Sequence, residues 1–344
     1  MKILHTFRLN RVKWRHWLLL VLLLLITLAK MIPLWGFIYT TRIYPIIGTL
    51  LSPISGFFPF AVGDIFIVLS IAWVIFYPIY EIGLRKKLAK RYFFLAAKKG
   101  SYPKKSEAKF KAFAYQYADS LNALSISSDI AGSSIFSDSI VGDGLKNRVR
   151  DAVLKEYNKI GYKEGINAPF NQHPHVKTMV FTPLSSMSGV TGSMGPFFCE
   201  FTLNGDILPH DYPATYAHEF AHFLGVANEG EANFYSYIVC TASADKLMRF
   251  SGYYHIFFHV LNNVFDILGE KEGEKFLKHI RPEIIQQARN DRNYWLSKRC
   301  KALDAAQDFI FELYLRSNHV AEGRKSYSGV VGLILAWEEK KNNT

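Results

Sequence analysis

Two uncharged apolar blocks, WLLLVLLLLITLA at 17–29 and IFIVLSIAWVIFYPIY at 65–80, constrain this chain more than any other feature of its sequence. A bilayer-spanning helix needs roughly twenty mainly apolar residues. Each block reaches that length by taking in one ionisable residue near an end, Lys30 or Asp64, where a charged tip can sit at the interface. Trp17, Trp35, Phe57 and Phe58 supply aromatic flanks. A buried core helix is the competing reading of each block. A cleaved signal peptide competes for the first, but LAKMIP after it offers no small-x-small cleavage site. The expected order is a basic N-terminus at 1–16, spans at 17–38 and 58–82 joined by a short external loop at 39–57, a basic juxtamembrane segment at 83–104, and one domain at 105–344.

Charge sets the expected orientation. Lys2, Arg8, Arg11, Lys13 and Arg15 precede the first block, and Arg85, Lys86, Lys87, Lys90 and Arg91 follow the second, whereas the loop between carries only Arg42. Both flanks, and with them the large domain, therefore read as cytoplasmic. Much of the formal net charge of +12 lies in these flanks, which suits anionic lipid headgroups. Neither zinc-knuckle cysteines nor a glycine-rich phosphate loop supports nucleic-acid binding, and none is expected. Three widely spaced cysteines, Cys199, Cys240 and Cys300, make no disulfide framework and suit a reducing compartment.

Past residue 105 the pattern is mainly helical. Amphipathic periodicity predicts helices over KFKAFAYQYADSLNAL and 145–162, then over 213–224, 229–240, 245–268, 273–287, 290–316 and 328–338. Between 175 and 207, short apolar runs broken by Gly and Pro predict two or three strands, the last being FFCEFTL before Asn204-Gly205. SSMSGVTGSMG is expected as a glycine-rich loop beside a strand. It lacks the lysine and spacing of a phosphate cradle.

Chemistry concentrates in HEFAHFLGVANEGEAN, residues 218–233. At i and i+4, His218 and His222 leave one face of a helix a turn apart and can grip one Zn²⁺ ion. Glu219, beside the metal but not on it, suits a general base that activates water and then carries its proton to a leaving amine. Asp211 and Pro213 start the helix, and Gly225 ends it. A third ligand is expected from Glu229 or Glu231. A helix capped by Asn228 would set Glu229 and Asn233 on one face and turn Glu231 about 200° away, which favours Glu229, with Asn233 holding an imidazole's second nitrogen. Glu231 remains the alternative ligand. For an oxyanion donor the candidates are Arg249, Tyr253, Tyr254, His255 and, foremost, Tyr327. His173 and His175 read as solvated, and His255 with His259 as core. GVTGSMGPFFCEF is a candidate edge strand for a peptide, or a plain structural hairpin.

HExxH followed by Glu229-Gly-Glu-Ala-Asn233 resembles the gluzincin metallopeptidases, in which the third ligand opens E-x-x-x-D. Asn233 stands here for that aspartate, and the gap after His222 is shorter than in thermolysin-like enzymes. Across nearly its whole length the chain also resembles a bacterial domain-of-unknown-function family, number 3810. RIYPIIGTLLSPISGFFPFAVGDI and the block from YPATYAHEFAHFLGVANEGEANF to MRFSGYYH carry that resemblance. It implies an α+β, mainly helical zincin-like domain with a small sheet behind two transmembrane helices, in a bacterial inner membrane. The expected function is a zinc metallopeptidase acting on peptide or protein substrates beside the lipid bilayer. A noncatalytic membrane protein with structural zinc, or a zinc hydrolase of a non-peptide amide, is the alternative.

Overall fold

The computed structural model describes residues 33–84, 107–125, 141–171, 176–195, 198–300 and 329–342, with isolated positions between 17 and 27. Residues 1–47 and 48–344 form two compact units. In the first, α1 (Pro33–Ile38) runs into a π-helical turn (Tyr39–Ile43) and on into α2 (Tyr44–Gly56), whose residues from 48 onward belong to the second unit. The stretch expected as an external loop, 39–57, is thus helical almost throughout. Neither proline ends the helix: Pro45 follows directly on the π-helical turn, and Pro53 lies inside α2. Gly48 is not a breaker either. A Cβ there would strike the ring of Phe170, so glycine permits a close approach.

The chain turns instead at 57–61, and α3 (Val62–Leu84) follows, with side chains described as far as Trp73. Among the described residues no helix is long and apolar enough to cross a membrane. The first expected span and the juxtamembrane segment lie largely outside those residues.

The second unit continues with α4 (Glu107–Ser125), α5 (Asp143–Ile160), β1 (Lys177–Thr178), α6 (Thr182–Met187), β2 (Gly192–Gly195), β3 (Glu200–Leu203), α7 (Tyr212–Phe223) and α8 (Glu229–Ala242). Five further helices follow: α9 (Lys246–His255), α10 (Phe257–Leu268), α11 (Glu270–His279), α12 (Pro282–Lys298) and α13 (Gly329–Asn342). The expected helix 245–268 is broken at Ile256. The break expected near 288 lies at 280–281, because Pro282 takes a first-turn position and starts a new helix there. Part of the expected glycine-rich loop is α6. The result is a mainly helical α+β unit.

Its sheet has the order β1-β3-β2, with β1 parallel and β2 antiparallel to β3, so β2 is an edge among the described residues. β3 faces α7 through Phe201, whose ring meets Tyr216 at 5.2 Å, Phe220 at 5.8 Å and Phe223 at 5.7 Å. Phe170 adds 4.8 Å to Phe223, and Tyr157 of α5 adds 5.3 Å to Phe220. Phe201, Phe220 and Phe223 are at most 1% exposed, and each such side chain contributes roughly 1.5–3 kcal/mol by burial. Hydrogen bonds fix the helix along its axis as well. Tyr157 donates to the Ala217 carbonyl (2.7 Å), Ser236 of α8 to the Ala214 carbonyl (2.7 Å), and the Ala214 N–H to Ser251 of α9 (3.0 Å). α7 is therefore held by β3, α5, α8 and α9.

A buried ion pair joins the turn after α2 to the sheet. Lys177 of β1 donates to Glu200 of β3 (2.7 Å) and to the carbonyl of Ser55 (2.7 Å), while the Gly63 N–H donates to the other oxygen of Glu200 (2.5 Å). Lys177 is 7% exposed and Glu200 4%. Asp64 accepts from the Val180 N–H at 3.0 Å, and Asn171 donates to Ser52 at 2.9 Å. These contacts hold residues 52–64 against the sheet.

Candidate metal centre

α7 ends in a way that serves its second histidine. Gly225, at φ +100°, follows the last turn, and the Val226 N–H returns to the Ala221 carbonyl (3.1 Å) while the Gly225 N–H bonds the His222 carbonyl (2.9 Å). This Schellman closure needs a left-handed residue, which glycine alone adopts without strain. It hands the Val226 carbonyl to Nδ1 of His222 at 2.6 Å. Two residues later Asn228 caps α8, its side chain accepting from the Glu231 N–H at 3.1 Å.

That cap sets the first turn of α8 against α7. Glu229 Oε2 lies 3.2 Å from His218 Nε2 and 3.6 Å from His222 Nε2, and the two imidazole nitrogens are 3.1 Å apart. These are the three donors expected from the sequence, and they converge on one point. Tetrahedral zinc with bonds of about 2.0–2.2 Å sets its ligand atoms roughly 3.3–3.6 Å apart, so the triangle fits such an ion with sub-ångström adjustment. The imidazoles are aimed as well. His222 Nδ1 is engaged by Val226, and His218 Nδ1 by Asn233 Oδ1 at 2.8 Å, so both Nε2 atoms face the shared point.

Asn233 has a second partner that the sequence did not reveal. His255 of α9 places Nε2 2.9 Å from the same Oδ1. Burial, then the neighbouring His218 and His259, push the His255 pKa down to about 3, so it is a neutral donor. One amide oxygen thus accepts from two rings and fixes the proton of each. The i,i+4 pair His255 and His259 had read as core packing; what it concealed was a contact between helices, which no periodicity reports.

Glu219 is 6% exposed. Burial raises its pKa, the adjacent His218 and His222 pull it down, Glu229 pushes it up, and the balance lies above the usual carboxylate value. At His222 burial disfavours the charged ring, but Glu229, Glu219 and the Val226 carbonyl outweigh it and lift the pKa to about 9. Burial likewise works against the Glu229 anion, and the two histidines overcome it, holding the carboxyl well below its ordinary range. The two carboxylates and the two imidazoles are thus electrostatically coupled to one another.

Above Glu219 passes β2: a Cβ on Gly192 would collide with the Glu219 carboxylate. Thr191 accepts from the Asn204 N–H (2.9 Å), and in an antiparallel ladder bonded and non-bonded pairs alternate. With Gly192 opposite Leu203 and Met194 opposite Phe201, the N–H and C=O groups of Gly192 and Met194 point to the open edge.

The other expected site residues fall elsewhere. Glu231 is exposed and outside the donor triangle. Arg249 caps the end of α8 through the Ser243 and Ala244 carbonyls, Tyr253 packs tilted on Tyr117 and edge-on to Tyr237, and Tyr254 donates to Asp291. Tyr327, His173 and His175 lie outside the described residues. A second donor group, His210, Asp211 and Asp291, sits near the start of α7. Asp291 there already accepts from Tyr254, Gln287 and His210, which makes it a post tying the helix to α12.

The family described as "Protein of unknown function (DUF3810)" matches residues 39–102 and 95–335. The chain belongs to this family. No curated protein and no solved structure matches it.

Proposed function

We propose that this DUF3810 member is a membrane-anchored zinc metallopeptidase. One observation carries the reading: three donors at zinc spacing lie beside a buried carboxylate, beneath an open strand edge. His218, His222 and Glu229 would hold the metal, and the fourth position would face Glu219. Bound zinc would supply Lewis acidity, bringing the pKa of water from 15.7 towards about 7 and polarising a carbonyl.

The remaining work belongs to the chain's own side chains. A polypeptide added along β2 would bond the outward groups of Gly192 and Met194, which brings a peptide carbonyl over Glu219. Glu219, its proton affinity raised by burial, would take a proton from the attacking water and return it to the leaving amine. Hydrogen bonds from Val226 and Asn233 would keep both imidazoles in register through the cycle. The anchor is the apolar N-terminal segment.

The direct test is Glu219→Gln, which keeps shape and removes the base. Cleavage of peptides from an unbiased library should fall by about 10²–10⁴ while one zinc per chain is retained. Full turnover in a zinc-loaded variant would refute the reading. Met194→Pro is the companion test: it deletes an outward N–H, a position where an edge strand tolerates proline, and should raise KM with the fold intact.

A further inference from the structure

We propose that Gly192 is a positioning residue: having no side chain, it lets β2 lie against Glu219 and fixes the depth at which that carboxylate stands beneath the strand edge. Its catalytic consequence rests on the peptidase reading and deepens it.

The backbone does not require glycine at this place. Gly192 lies in strand β2 without a positive φ, a conformation open to any residue. Glycine there weakens the strand and often marks a close approach by another group. Glu219 is that group. A Cβ at position 192 would stand 2.6 Å from Glu219 Cγ and 2.7 Å from Cδ, with Oε1 also in collision. Carbon atoms in ordinary contact are about 3.5–4.0 Å apart, so roughly 1 Å is missing. Gly195 of the same strand gives the contrast. A Cβ there would meet the Glu200 carbonyl oxygen at 3.5 Å and Glu200 Cγ at 3.8 Å, which is ordinary contact.

Both walls of the Gly192–Glu219 contact are pinned. Behind the strand, the Asn204 N–H donates to the Thr191 carbonyl (2.9 Å), and the Asn204 side-chain amide donates to the Val190 carbonyl (2.7 Å). Asn204 is itself buried and follows Leu203, the residue opposite Gly192. On the other side α7 is fixed by the bonds from Tyr157 to Ala217 and from Ser236 to Ala214. An added methyl group would therefore displace the carboxylate and not the backbone. A general base must stand within about 2.6–3.2 Å of the group it deprotonates. Misplacement by about 1 Å can cost on the order of 10²-fold. β2 thus has two separable parts. Its outward N–H and C=O groups would bind a polypeptide, and its inward face at Gly192 seats the base. Alanine keeps the first and alters the second, so the loss should fall on kcat and not on KM.

The experiment uses the full, zinc-loaded chain and fluorescein-labelled casein, an unfolded polypeptide. Gly192→Ala should lower kcat about 10²-fold, with one zinc per chain retained and KM within about threefold. In Glu219→Gln, which already lacks the base, the same substitution should cost less than about twofold. An equal loss in both backgrounds would mean that Gly192 does not act through Glu219, and would overturn the proposal. Gly195→Ala should leave kcat unchanged; a loss as large as at 192 would trace the effect to the strand as a whole and overturn it too. A second readout needs no activity. In urea titrations of the metal-free protein, Gly192→Ala should lower the midpoint in the parent but not in Glu219→Ala, where the colliding atoms are gone. Equal shifts in both backgrounds would refute the contact. Should Gly192→Ala fail to fold, folding restored by Glu219→Ala would support the contact, and no restoration would overturn it. Casein left whole by the zinc-loaded parent would overturn the peptidase reading and with it the catalytic role, while the urea titrations still decide whether Gly192 seats Glu219.

Discussion

Replacing Asn233 by alanine isolates the side chain that orients His218 at the candidate metal site. Its Oδ1 accepts from His218 at 2.8 Å and from His255 at 2.9 Å, and the residue is 4% exposed, so water does not take its place easily. Two separable losses follow. His218 loses the acceptor that fixes its tautomer and ring plane, which typically costs 10–100-fold in metal affinity, or about 1.4–2.7 kcal/mol. His255 keeps a buried N–H with no acceptor, a cost of about 1–3 kcal/mol to the fold. Zinc affinity measured by chelator competition should fall by the first amount, and metal-free stability in urea by the second. His255→Phe, which removes that donor and leaves Asn233 bonded to His218, should spare zinc affinity, and Asn233→Asp should restore it. If Asn233→Ala bound zinc within threefold of the parent, the orienting role would be wrong. The short contact would then be a packing feature of three crowded helices.

Zinc binding should tighten about tenfold per pH unit below 9 and level off above it, because the metal displaces the proton that His222 holds up to about 9. The sign for the fold follows from the same shift: metal-free stability drawn from protonated His222 is complete below about 6.5 and is lost as pH rises through about 9, so metal-free melting temperatures should decline across that window. Lys177→Met leaves the Glu200 carboxylate buried beside Gly63 without its cation and should cost about 3–5 kcal/mol; Lys177→Met/Glu200→Gln should recover part of it in the same urea titration, and an equal loss in both would refute the charge argument. Gly225→Ala forces a side chain into φ +100°, which should cost about 1–2 kcal/mol and weaken zinc binding by shifting the Val226 carbonyl; unchanged melting and affinity would sink that account.

Local rules carried the sequence a long way around residue 218. Helical spacing alone pairs His218 with His222, an Asn cap followed at once by Glu229 sets which acid faces back, and four residues more bring Asn233 under the same ring. Each depends on geometry within one helix or one turn. Contacts between elements are not written in periodicity, and there the tertiary structure decided. His255 reaches Asn233 only because α9 packs on α8, Lys177 finds Glu200 across paired strands, and Gly192 owes its place over Glu219 to a ladder register. Residues 39–57 carry the same lesson in reverse. Their prolines and glycines suggest a loop one residue at a time, yet the segment is helical, with Pro53 inside α2 and Gly48 giving room to the ring of Phe170. Hydrogen bonds from Lys177 to Ser55 and from Gly63 to Glu200 join turn and sheet directly.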